Sequence, residues 1–423
     1  AGILLCGCDN THANQMKSDN LEIDKKNHAS DIVEVDEETH QYDVSRVRNN
    51  EILDRQNFQK NIQVLFENNK FDELNKIYIQ LLKSEERTSS GLWKLTVFYD
   101  SFDKILTAKE EEQSKKIWES HYKKISKWSS EYPNIALPEI LKAKLLLARA
   151  WQYRGEGYIS TVSTENLKQW NTYLTKANDY LNHKIPSLSN VDPEWHVVNL
   201  DVKSFLNNSE LEYKSALEDA TNRFPYYYPI YFNAVVYHYS PKWGGDYKEI
   251  EKFAHFAVSK TNAKEGTAIY SRIYWVVADN MEIDKLRKES YIDWQYFRKS
   301  VREVLKQYPD QWNFANYIYI SCQVKDKKFT SELFQGISFH DLNNWKSEYA
   351  YENCLAFAKG TEDELMKERE QKYMEQLKKD YVTAYRLDGA NNWQVLTRLI
   401  IPNIWEKIIV MSSMALSTAI LDI

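Results

Sequence analysis

Apolar residues in the middle of this chain recur at helical spacing. Phe58, Ile62, Leu65 and Phe66 share one helix face, and after the polar break Asn68-Asn69-Lys70 the residues Leu74, Ile77, Tyr78, Leu81 and Leu82 repeat the pattern. Two amphipathic segments joined by so short a turn predict an antiparallel helix pair. Pro138 is placed to open another helix, because a proline at the first helical position forfeits no hydrogen bond. From Ile140 to Trp151 the apolar positions run nearly all the way round, which predicts a central buried helix. Tyr247, Ile250, Phe253, Ala254, Ala257 and Val258 form a further clean face, and Trp312, Ala315, Tyr319 and Cys322 fall at i, i+3, i+7 and i+10. Eleven glycines and nine prolines in 423 residues leave little material for the tight turns of an all-β fold. The expected fold is all-α.

Punctuation along the helices suggests stacked pairs. Tyr132-Pro133, Phe224-Pro225 and Tyr308-Pro309 repeat an aromatic-proline step, with Asp192-Pro193 as a variant. The interval from Pro193 to Pro225 is close to the length of a tetratricopeptide repeat, while the others are too long for single repeats. Irregular helix pairs, each covering its apolar face on the next, are therefore expected over residues 51–388. A non-repetitive helical bundle is the alternative.

Several separated motifs sit on this frame: Gly91-Leu-Trp-Lys-Leu-Thr-Val-Phe-Tyr99, Ala150-Trp-Gln-Tyr-Arg-Gly-Glu-Gly157, Phe224-Pro-Tyr-Tyr-Tyr-Pro-Ile-Tyr231, Ser240-Pro-Lys-Trp-Gly-Gly245, Gly266-Thr-Ala-Ile-Tyr-Ser-Arg-Ile-Tyr-Trp275 and Tyr308-Pro-Asp-Gln-Trp-Asn313. Together, over roughly residues 55 to 350, they resemble the bacterial domain-of-unknown-function family four-zero-three-four. The resemblance implies a tetratricopeptide-like helical fold and no particular reaction. At the chain start, Leu5-Cys6-Gly7-Cys8 looks like a bacterial lipobox, with only Ala1 to Leu4 ahead of it as the expected remnant of a signal over residues 1–8. That resemblance implies acylation of Cys8, membrane attachment through it, and a place in the bacterial cell envelope on the periplasmic side.

Charge and composition divide the rest. Between Asp9 and Asn50 the only aromatic residue is Tyr42, and ten acidic residues outnumber five basic ones. Such a stretch buries too little to offset chain entropy, so residues 9–50 are expected to be a disordered acidic tether reaching about 35 Å. At the other end, Thr361 opens a charged helix expected to run to about Arg386, with Asp388-Gly389 ending it. Residues 389–423 form an apolar tail. Glu406 and Lys407 interrupt it, so a docked terminal helix or a shifted reading frame is expected there and not a membrane span.

Chemistry-bearing motifs are sparse. No Walker loop, Gly-x-Ser-x-Gly elbow or His-Glu-x-x-His pattern occurs, and His238 and His255 stand alone at metal-ligand spacing. No metal or cofactor is expected, and the slightly acidic chain has no basic stripe for nucleic acid. Cys322 and Cys354 read as packing thiols, and the sequence leaves open whether they pair. The tyrosine-rich middle suits an aromatic groove, so the candidate binding residues are Arg154, Tyr226, Tyr231, Tyr239, Trp243, Gly244 and Gly245. A purely structural role for Trp243-Gly244-Gly245 is the competing reading, with glycine closing a helix. The leading expectation is a non-enzymatic, membrane-tethered protein that binds a protein partner. Alternatives are a helical envelope hydrolase acting on glycan or peptidoglycan, with Asp246 and Glu139 as nominal acids, and a periplasmic immunity or inhibitor protein.

Overall fold

The computed structural model describes residues 40–373 apart from 107–110, 156, 158, 207–208 and 338–340. Among the described residues there is no strand, and only two isolated β-bridges join Arg48 to Asp310 and Arg87 to Trp93. The α-helices are α1 (Glu51–Glu67), α2 (Phe71–Ser84), α3 (Lys94–Leu106), α4 (Glu111–Glu131), α5 (Ala136–Arg154), α6 (Thr164–Asp179), α7 (Pro193–Phe205), α8 (Glu210–Arg223), α9 (Pro229–Ala234), α10 (Tyr247–Glu265), α11 (Ala268–Asp279), α12 (Leu286–Glu289), α13 (Trp294–Gln307), α14 (Gln311–Gln323), α15 (Lys327–Phe334) and α16 (Glu348–Lys359). The first compact unit ends at Cys354 and a second begins at Leu355.

The first unit is built from stacked helix pairs, as the periodicity predicts. The turn between α1 and α2 falls at Asn68-Asn69-Lys70, where Asn69 adopts a left-handed φ of 56°. Helix α5 is buried nearly all round, between α4 and α6. It begins two residues before Pro138, which therefore sits inside the first turn, where a missing N–H still costs nothing. The aromatic-proline steps are helix stops. Phe224 and Tyr308 end α8 and α13 with extended φ of −130° and −131°, since a residue before proline is pushed out of the helical region. Asp192 differs: it caps α7, its carboxylate accepting from the Glu194 N–H at 2.8 Å.

One helix of successive pairs faces inward. Helices α3, α5, α7, α9, α11 and α14 each touch the next and form an inner row. The row closes on the loop after α2: the Ser90 carbonyl accepts from Arg272 at 2.6 Å and from the Asn313 amide at 3.1 Å. Arg48 seals the same seam, exchanging backbone hydrogen bonds of 2.8 Å with Pro309 and Gln311.

Two expectations change. Residues 40–50 do not behave as tether: Tyr42 packs edge-on against Phe314 at 5.0 Å and donates to Glu332 at 3.0 Å, while Asn49 donates to Asp341 at 2.7 Å. Cys322 and Cys354 are not merely packing thiols. They form a disulfide with Cα atoms 5.5 Å apart, tying α14 to α16. In the second unit, residues 362–373 are helical and begin after Thr361, as expected. The Cys8 motif, the acidic stretch before residue 40 and the apolar tail lie outside the described residues. No helix among the described residues is long and apolar enough to cross a membrane.

Candidate functional site

Three inner helices carry a stripe of residues at helical spacing that faces one cavity. On α3 it is Thr96, Asp100 and Asp103; on α7, Glu194, Val197, Val198 and Asp201; on α11, Arg272, Trp275, Val276 and Asp279. Helix α5 adds Lys144 and Leu147, α9 adds Phe232 and Asn233, and α14 adds Trp312 and Asn313. Arg55, Ser90 and Leu92 complete the N-terminal wall. The enclosed space is about 130 Å³. Of the lining residues, Asp279 is exposed and pairs with Lys346 at 2.8 Å.

Five carboxylates and three cations line this space, and two of the cations are ion-paired. Lys144 bridges Asp103 at 3.1 Å and Glu194, and these two carboxylates hold its ammonium charged against the cost of burial. Glu194 is further fixed by the Tyr227 hydroxyl at 2.7 Å. Arg55 binds Glu51, whose carboxylate also accepts from the Ser90 N–H and hydroxyl at 2.9 and 2.8 Å. Arg272 donates to the Ser90 carbonyl and lies over the rings of Tyr228 and Tyr308 at 5.2 and 5.7 Å.

Two carboxyls stand apart from this network. Asp100 accepts no hydrogen bond from the described residues, and burial, reinforced by Asp103, pushes it up to about 7 against the pull of Lys144. Part of its surface still faces the hollow interior, so it is enclosed by protein without being covered. Among the described residues Asp201 accepts only from the Asn233 amide, at 2.9 and 3.2 Å, and burial raises it to about 7 as well. Neither has a cation within ion-pair distance among the described residues. Asp192 is the instructive contrast. Burial raises it to about 6, yet Tyr78 at 2.7 Å, Tyr99 and the Glu194 N–H all donate to it, so its acceptors are spent on the fold.

The residues singled out from sequence lie elsewhere. Arg154, Trp243, Gly244 and Gly245 meet at one corner, where the guanidinium lies 5.5 Å over the Trp243 ring and donates to the Gly157 carbonyl at 2.6 Å. Trp243 packs edge-on against Trp151 and Phe205 at 5.7 and 5.3 Å. Gly244 takes a left-handed φ of 94° to close the turn after Trp243, and Gly245 approaches Tyr239 so closely that a Cβ would lie 2.1 Å from its carbonyl oxygen. Tyr231 is fully buried, donating to Pro225, while Tyr239 stacks on Phe253 at 4.6 Å. Tyr226 is half-buried beneath the Lys264 ammonium, 4.4 Å from its ring centre. The seven do not share one groove. Asp246 is a cap, accepting from the Lys248 N–H at 2.6 Å. For Glu139 burial works to raise the carboxyl, but hydrogen bonds from Ser129, Tyr180 and Lys142 outweigh it and hold the group below its usual range. Neither nominal acid reaches the cavity.

The cavity residues had a signal in the sequence. Lys144 is flanked on its helix by the buried Ala143, Leu145, Leu146 and Leu147, and Glu194, Asp201 and Arg272 are set among equally buried neighbours. A charge in a helix with no polar face has to be paired or functional.

A family model described as binding-protein-dependent transport system inner membrane component matches residues 371–423. The match covers a small part of the chain, almost wholly beyond the described residues, and includes none of the cavity residues. No curated protein and no solved structure matches the chain.

Proposed function

We propose that this chain is a lipid-anchored, non-enzymatic binding protein of the bacterial cell envelope, and that its ligand enters the cavity between α3, α7 and α11. One observation carries the reading: an aromatic-walled space holds two carboxyls, raised by burial, that form no ion pair among the described residues. The lipobox-like Leu5-Cys6-Gly7-Cys8 supports anchoring through Cys8, and the Cys322–Cys354 bond supports an oxidising compartment. The family resemblance supports a tetratricopeptide-like recognition module. A protein partner remains the expected source of the ligand, reaching the cavity through an inserted side chain beside Asp279. Nucleic acid is disfavoured, because a cavity with more carboxylates than cations repels phosphate.

Thermal-shift screening of the full chain against small polar compounds and short peptides tests the reading. A stabilising compound is expected whose effect disappears in Val198→Phe, which fills the cavity, and persists in Trp243→Leu. The reverse pattern would return the site to the aromatic corner.

The hydrolase reading keeps one specific support. Carboxyls raised to about 7, as at Asp100 and Asp201, are in the range of a general acid. Release of reducing sugar from peptidoglycan, lost in Asp100→Asn, would establish it. The small volume favours binding of a short group over cleavage of a glycan strand.

A further inference from the structure

We propose that the cavity binds a protonated primary amine, engaged by the Asp100 and Asp201 carboxylates and walled by Phe232, Trp275 and Trp312. The inference rests on the cavity being the ligand site and names the chemistry it selects.

Charge decides the class. Arg55 and Lys144 are ion-paired within the protein and Arg272 is held by the Ser90 carbonyl with its Nε unpartnered, so an anion entering the cavity meets five carboxylates against three cations. Among the described residues neither Asp100 nor Asp201 has a cation at ion-pair distance. Hydrogen-bonding capacity points the same way. Thr96 Oγ1 and Asn313 Oδ1 belong to lining residues that are 8% and 0% exposed, and both lack a partner. An ammonium is a pure donor with three N–H groups, which matches two carboxylates and two orphaned oxygen acceptors. Trp275 and Trp312, with ring centres 6.0 Å apart, offer π-faces that attract a desolvated cation.

Size bounds the ligand. A water needs roughly 10–15 Å³, so a cavity of about 130 Å³ takes on the order of nine to thirteen water-sized atoms. An ammonium on a four-carbon stem, with five heavy atoms, fits inside that space. It has two sources, a free alkylamine and the lysine side chain of a partner polypeptide, which present the same chemistry.

Binding is coupled to protons. Asp100 faces Asp103 on its own helix, Lys144 on α5, Glu194 on α7, Arg55 on α1 and Tyr227 before α9; Asp201 faces Asn233 on α9, Tyr213 on α8 and Tyr237 after α9, together with Lys144 and Glu194. An entering ammonium ionises both carboxyls and expels their protons. Affinity then rises with pH through neutrality, by about tenfold per unit for each carboxyl that must ionise.

The test is isothermal titration calorimetry on the full chain at pH 8 with n-butylammonium, putrescine and N-acetyl-lysine methylamide, against butyrate and erythritol as anionic and neutral probes. The amines are expected to bind with proton release, read from buffers of different ionisation enthalpy, and to weaken as the pH is lowered to 6. Asp100→Asn and Asp201→Asn should each weaken binding at least tenfold, while Asp246→Asn, outside the cavity, leaves it unchanged. Near-UV circular dichroism checks that the variants fold, and Trp275→Phe, expected to weaken binding severalfold, serves if an Asp variant does not. Tighter binding of the lysine derivative than of putrescine identifies a polypeptide side chain; the reverse identifies a free amine. Binding of butyrate or erythritol without any amine, sensitive to Asp100→Asn, would overturn the amine class and keep the cavity as the site. Failure of every probe, with no stabilising compound in the thermal screen, would overturn both.

Discussion

The Trp243 corner and the central cavity use similar residues to opposite ends. At the corner, Arg154 lies on an aromatic ring, donates to a nearby carbonyl, and is surrounded by rings that pack on one another. Its polar group has a partner and its glycines serve backbone turns. In the cavity, aromatic rings again meet charged groups, but Asp100 and Asp201 keep capacity that the fold does not use. The difference teaches that dense or unusual residues mark packing as readily as function. Buried groups without partners are the better guide, because leaving them so costs stability that only a ligand recovers.

Perturbations of the two regions should therefore diverge. The largest expected effect comes from Lys144→Met, which leaves Asp103 and Glu194 buried without their cation. Urea denaturation should show a loss of about 3–5 kcal/mol. A loss under 1 kcal/mol would mean that the network is not the keystone of the inner row. Cys322→Ser lies in neither region and serves as a control for global loosening. Opening a disulfide that spans 32 residues should cost roughly 3–4 kcal/mol by the chain-entropy argument, without changing the pH dependence of ligand binding.

At the corner, Gly245→Ala forces a methyl against the Tyr239 carbonyl and should cost about 2 kcal/mol while sparing any ligand effect in the cavity. Loss of ligand binding in this variant would erase the distinction between the regions. The smallest effect has the opposite sign. Asp100 titrates near 7 when folded and near 3.9 when unfolded, so between those values the folded state holds a proton that the unfolded state has lost. Stability contributed by the neutral carboxyl therefore declines as pH rises from about 4 through 7. Asp100→Asn escapes that penalty. Because the side chain retains contact with the hollow interior, the gain should be only about 1 kcal/mol, or roughly 2–4 °C in Tm at pH 8, and nothing at pH 4. Differential scanning calorimetry at the two pH values checks both sign and window.

How far the sequence led depends on the level of structure. The α1–α2 pair, the buried α5 and the helix stops at Phe224 and Tyr308 were legible because periodicity and proline sterics are local. Residues 40–50 were misread, since the anchoring of Tyr42 depends on Phe314 and Glu332, far along the chain. The disulfide was undecidable for the same reason. The cavity proposed as the site was not singled out because aromatic density at Tyr226 to Tyr239 drew attention outward, and most of those rings are core. Yet Tyr227, in the same run, supports the cavity by holding Glu194. The usable signal was quieter: charges at i and i+7 on α7 and α11, in helices with no polar face to receive them.

Raised to about 7 by burial, Asp100 and Asp201 hold protons near neutral pH that an entering cation would displace. Carbon-13 NMR of aspartate-labelled protein, with each signal assigned by its Asn variant, measures this directly. Both carboxyls should titrate near 7 in the free protein and shift into the ordinary carboxylate range when butylammonium is bound. Ordinary values in the free protein, unmoved by the amine, would contradict the account.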